Sequence, residues 1–144
     1  MGPVASVAVL GAVMFTTWAL YITLVEHPAR LESGAGAGRA QFQASYRRAA
    51  PWQASFAVVA LLAGAATAAS TGRWLWLAGA LAIGAAVPFT LLVIMPTNRA
   101  LLGAAPLGDG DARRLLQRWG RLHLVRTVLG GIGVLAFLLA VERA

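Results

Sequence analysis

Residues 119–141 read WGRLHLVRTVLGGIGVLAFLLAV, and this stretch decides what kind of protein the chain encodes. The run after Arg126, Thr127–Val141, is 15 residues long, about 22 Å of helix at 1.5 Å per residue. A bilayer core is about 30 Å thick. A spanning helix must therefore reach back to about Leu122, which draws His123 and Arg126 into or against the hydrocarbon. Ionisable groups at that depth are costly and normally face a partner or a cavity. Trp119, His123 and Arg126 follow i, i+4, i+7 spacing and so share one helix face.

Working outward, three more blocks reach transmembrane length: Val4–Val25, Trp52–Ser70 and Trp74–Met95. With Leu122–Val141 they occupy most of the 144 residues, of which 59% are hydrophobic and 12% charged, at a mean hydropathy of +0.72. A soluble domain carries about twice that charge fraction. The expected fold class is all-α: one membrane domain, residues 1–144, built as a four-helix transmembrane bundle with helices about 4–25, 52–70, 74–95 and 112–141. The first block is too long for a signal peptide and lacks a positive n-region, so it is read as the first membrane helix.

The net charge of +7 is carried by arginine alone. A basic balance often points to nucleic acid, but these arginines sit between apolar spans, where they act as topology signals and contacts to lipid headgroups. No nucleic-acid partner is expected. Arg30, Arg39, Arg47 and Arg48 follow the first span, and Arg99, Arg113, Arg114 and Arg118 lie between the third and fourth. The positive-inside rule then places both long loops in the cytoplasm and both termini outside, in a bacterial inner membrane. With no cysteine, the chain has neither disulfides nor thiolate chemistry.

Helix 1 is expected to end at Glu26-His27-Pro28, because proline cannot continue a helix without losing a hydrogen bond. The segment Ala29–Pro51 reads as a loop. Its Ser33–Gly38 run follows no strand, so it is a flexible linker rather than a phosphate-binding loop. Gln41–Ala50 is expected to form a short interfacial helix in this first cytoplasmic loop, carrying Tyr46 and Arg47. Thr71-Gly72-Arg73 closes a hairpin, with Trp74 and Trp76 as interfacial anchors. Helix 3 ends near Pro96-Thr97-Asn98 with a kink at Pro88, and Asp111 is the N-cap of the last helix. Gly64, Gly79, Gly84, Gly130, Gly131 and Gly133 permit close helix contact.

The ionisable residues thus gather at one membrane face. Helix 1 brings Glu26 and His27 there, with Thr16, Leu20, Thr23 and His27 on one stripe. Helix 3 brings Asn98, the segment before helix 2 brings Tyr46 and Arg47, and helix 4 brings Trp119, His123 and Arg126. Glu26 is expected to pair with Arg126 or Arg47.

Three elements carry a family resemblance: Val25-Glu26-His27-Pro28-Ala29; Pro88-Phe89-Thr90 with Ile94-Met95-Pro96-Thr97-Asn98; and Arg118-Trp119-x-x-Leu122-His123-x-x-Arg126. In this order and at this helix spacing the chain resembles the DUF1772, or anthrone oxygenase, family across nearly its whole length. The resemblance implies a four-helix membrane protein whose site is formed by Glu26, His27, Asn98, Trp119, His123 and Arg126. It also implies oxidation of a lipophilic phenolic or anthrone-like substrate by O₂ with no cofactor. Under that reading His27 or His123 is the base, Arg126 stabilises the enolate, and Glu26 orients a histidine. Asn98 holds the carbonyl and Trp119 stacks on the rings, with Tyr46 and Arg47 completing the substrate site.

Two alternatives stand beside it. One is a redox protein binding iron, copper or haem through His27, His123 and Glu26. Adjacent Glu26 and His27 point about 100° apart on a helix, so they share an ion only if the helix unwinds. The other is a non-enzymatic binding or assembly protein. The expected partners are membrane lipids, a lipophilic aromatic molecule and O₂, and a homo-oligomer is left open.

Overall fold

The computed structural model describes residues 1–143 and is helical nearly throughout. Four helices are long and apolar enough to cross a membrane: α1 (Pro3–Glu32), α2 (Ala35–Thr71), α3 (Trp74–Leu102) and α4 (Asp109–Glu142). This is an integral membrane protein by that criterion. Each helix packs along its neighbour in sequence, and α4 closes the ring against α1. An even number of crossings leaves both chain ends on the same side of the bundle.

The helices run further than the sequence suggests. Pro28 does not end α1. The backbone widens into a π turn at Ile22–Glu26, in which the His27 amide reaches the Ile22 carbonyl, and α-helix resumes to Glu32. Pro96 is absorbed in the same way, by a π turn at Thr90–Ile94. A proline ring clashes with the carbonyl four residues back, and both of those carbonyls, on Leu24 and Leu92, lie within the widened turns. The wider register makes the room.

The expected linker is helix as well. Only Ser33 and Gly34 separate α1 from α2, and Gly34 turns the chain at φ 89°. Gln41–Ala50 is therefore part of α2, which continues through Pro51, and is not a separate interfacial helix. At Gly38 a Cβ would lie 2.5 Å from the Arg30 carbonyl, so glycine there lets α2 press against the end of α1. Arg39 donates to the carbonyls of Leu101 (3.0 Å) and Gly103 (2.6 Å), and Gln43 donates to Leu101 (2.9 Å), which satisfies the end of α3.

Three smaller expectations are also corrected. The last helix begins at Asp109 after Gly108, with Asp111 inside its first turn and paired to Arg114 rather than capping it. Trp76 is 3% exposed and packs on Phe137, so Trp74 alone of the two faces the surroundings. Gly131 touches nothing across the bundle, unlike Gly64, Gly79 and Gly133.

Candidate active site

The polar residues that α1, α2, α3 and α4 carry toward one end are buried together. Arg30, Gln53, Asn98, His123, Arg126 and His27 are each 8% exposed or less. Arg126 lies 16 residues before Glu142, about 24 Å along α4, so it is within the hydrocarbon span. An arginine costs about 3 kcal/mol at the bilayer centre on the mildest scale and less toward the edge of the core, where Arg126 falls. Local contacts offset part of that cost.

Two networks organise the cluster. In the first, the Arg30 guanidinium donates to Glu26 (2.5 Å), Ser45 (3.1 Å) and Gln41, and Gln41 donates to Glu26 (2.9 Å). Arg30 also lies over the Phe42 and Trp119 rings at 5.3 and 5.4 Å. Glu26 is thus paired with Arg30, and not with Arg126 or Arg47. In the second, Trp119 donates its indole N–H to Asn98 (2.9 Å), and Asn98 donates its amide to the Tyr46 oxygen (2.8 Å). Tyr46 is thereby held in place, with its own O–H free to donate elsewhere.

His123 and Arg126 complete the arrangement. Thr23 lies 2.8 Å from Thr127 and 3.3 Å from His123 Nδ1. Thr127 has two backbone carbonyls in reach, Ala19 and His123, both at 3.4 Å. If Thr127 donates to a carbonyl, Thr23 donates to Thr127 and accepts from Nδ1–H. His123 Nε2 then carries a lone pair, and it has no hydrogen-bond partner within the protein. Arg126 donates from Nη2 to Gln53 (3.0 Å), while Arg126 Nε and Gln53 Nε2 are likewise unpartnered. Buried donors left this way are costly, which marks them as groups aimed at something that binds.

What they face is a pair of cavities. The larger, about 150 Å³, has Phe15, Ala57, Ala86, Val87 and Met95 in its apolar wall and Tyr46, Gln53 and Arg126 as its polar side. Its wall includes Ala54 on α2 and Leu91 on α3, the latter 58% exposed, so its mouth faces lipid between those helices. The smaller, about 20 Å³, is walled by Glu26, Arg30, Trp119 and His123 and shares Tyr46, Ala50, Gln53 and Arg126 with the larger. It is large enough for about one water molecule.

Not every expected site residue lines a cavity. Glu26, Tyr46, Trp119, His123 and Arg126 do. Asn98 is wholly buried behind Tyr46 and Trp119. His27 packs on Trp119, with ring centroids 5.4 Å apart, and lines neither cavity. Its ring occupies the space that a Cβ on Gly120 would need. Arg47 is exposed and joins neither network. Among the described residues no three His, Asp or Glu side chains gather around one point. Arg30, Gln53 and Thr127 join this buried cluster without a signal in the sequence. A stop at Pro28 puts Arg30 in a loop, and Gln53 and Thr127 lie inside apolar spans.

The sequence profile of the anthrone oxygenase family matches residues 39–136, more than half of the chain. Anthrone oxygenase tpcL of Aspergillus fumigatus is 47% identical over 51 residues, a match covering 33% of this chain and 32% of that protein. The chain thus aligns with about a third of the length of this curated relative. No solved structure matches the chain.

Proposed function

The chain belongs to the anthrone oxygenase family, and from that premise we propose that it is a membrane-embedded oxygenase. Its substrate is a lipophilic phenol of the anthrone kind, which it deprotonates and lets react directly with O₂. One observation carries this reading: Arg126 and Gln53, each with an unpartnered buried atom, line both a lipid-facing apolar cavity and a water-sized chamber, and His123, with its unpartnered Nε2, walls that chamber.

A flat, weakly acidic ketone partitions into the bilayer and enters between α2 and α3. Its oxygen accepts hydrogen bonds from Arg126, Gln53 and the free Tyr46 O–H, while Phe15 and the alanines of the wall contact its rings. These donors are fixed before the substrate arrives and lie in surroundings of low dielectric, where they favour the enolate over the neutral ketone. His123, on the wall of the smaller chamber, takes the proton through the one water molecule that chamber has room for, and the Thr23–Thr127 pair holds its tautomer. Asn98 positions Tyr46 and Trp119. His27 positions Trp119 and, 3.4 Å from its guanidinium, Arg30.

The electron-rich anion then reduces O₂. Radical and superoxide combine to a peroxide, which takes up a proton. Loss of a second ring-carbon proton and of hydroxide from the O–O bond gives the quinone carbonyl and water. A CH₂ group and O₂ thus become C=O and H₂O. The carbanion supplies the electrons, so this chemistry calls for no metal or organic cofactor. We place the arginine-rich end at the cytoplasmic face of a bacterial inner membrane, following the arginine distribution.

The test is an oxygen electrode with the purified protein in lipid nanodiscs and an anthrone as substrate. Equimolar O₂ consumption and quinone formation, well above empty nanodiscs, is the expected result. O₂ uptake no faster than in empty nanodiscs overturns the proposal.

A further inference from the structure

Building on that proposed reaction, we infer that the two cavities divide the reactants: the larger holds the aromatic substrate and the smaller is the compartment where O₂ is reduced. The chamber of about 20 Å³ cannot admit a ring, but it admits a diatomic molecule. It shares Tyr46, Ala50, Gln53 and Arg126 with the larger cavity, so a molecule inside it lies within a side chain's width of whatever fills the larger space.

The electrostatics of the chamber favour the reduced form of its occupant. Arg30 and Arg126 contribute two positive charges and Glu26 one negative charge, leaving the wall cationic. Neutral O₂ gains little from that field, whereas superoxide gains a great deal in a dry site. The unpartnered Arg126 Nε offers a hydrogen bond that only an anion uses fully. Once one electron has moved from the carbanion to O₂, the ion is held against the radical until the C–O bond forms. His123, which also walls the chamber, is then placed to return its proton to the peroxide. The Glu26–Arg30–Gln41 network links the chamber wall to the exposed Gln41 side chain.

Ala49 walls the chamber and not the larger cavity, and makes no polar contact in either network. Ala49→Val adds two methyl groups to a space sized for one small molecule. The rate constant for reaction with O₂, kcat/KM measured against O₂, should fall about ten-fold to a hundred-fold. Anaerobic binding of the aromatic substrate should not change. In the larger cavity Ala57→Val should do the reverse, weakening aromatic binding and sparing the O₂ dependence of the bound complex. Ala49→Ser, a smaller change, covers the case in which valine unfolds the helix, and should show a reduced version of the same loss. An unaltered O₂ dependence in a folded Ala49 variant, or parallel losses in both terms, overturns the division while leaving the proposed oxidation standing. Absence of O₂ consumption by the unaltered protein overturns both.

Discussion

The two halves of this bundle are packed on opposite principles. In the half nearer the chain ends, Phe137 fills the space over Gly64 and Gly79, Ile83 presses on Gly133, and Ala8, Ala12, Ala60 and Ala80 pack between them, with an open cavity of about 310 Å³ only at the outer end beside Trp76 and Thr67. Small residues bring the backbones together, and dispersion holds a dry interface that has no hydrophobic effect to drive it. In the other half the same four helices bury two arginines, two histidines, an asparagine and a glutamine, and leave cavities between them. One half is built for contact. The other gives up packing and hydrogen-bond satisfaction to keep donors pointed at open space, as functional sites in membranes do.

The contrast can be broken most severely at Arg126. Arg126→Met keeps an unbranched apolar stem and removes the charged guanidinium. Turnover should fall about 10²–10³-fold, while the thermal midpoint in detergent holds or rises, because an apolar side chain avoids the desolvation penalty. A variant that loses stability along with activity would mark Arg126 as structural support instead.

A smaller effect is expected one step back from the cavities. Asn98→Leu removes the amide that joins Trp119 to Tyr46, and turnover should drop about ten-fold, the equivalent of one misplaced hydrogen bond. Tyr46→Phe should give a similar loss, and the double variant should be little worse than either single change, because the two act as one unit. Strictly additive losses would separate them.

In the dry half the sign reverses. A side chain at Gly79 meets the Phe137 ring 2.6 Å from the new Cβ, so Gly79→Leu should destabilise the bundle by about 1–3 kcal/mol. The protein that stays folded should turn over normally, and thermal unfolding beside kcat separates the two effects. The smallest effect belongs to Arg47→Ala: an exposed arginine outside both networks should change neither turnover nor stability measurably.

How much of this was visible in the sequence follows from helix physics. The four spans were visible because apolar length is a direct signal of membrane crossing. The Trp119, His123 and Arg126 stripe was visible because the run after Arg126 is too short to span alone. What was hidden traces largely to Pro28. Read as a stop, it turned Arg30 into a loop residue, Ser33–Gly38 into a flexible linker and Gln41–Ala50 into a separate interfacial helix. With α1 continued through a π turn, Glu26 and Arg30 become an i, i+4 pair inside the site. A π turn leaves no mark in the residue pattern, and the rule that proline ends a helix is right more often than not. The separation of the histidines was equally illegible, because it depends on which side of Trp119 each ring packs.

The claim at the centre of this account is that Arg126 and its neighbours stabilise the enolate before O₂ reacts. The direct measurement is the absorption spectrum of an anthrone bound to the protein under strictly anaerobic conditions. The account predicts the long-wavelength band of the anion with the unaltered protein and the neutral ketone spectrum with Arg126→Met. A neutral spectrum with the unaltered protein, or the anion band in both, would contradict it.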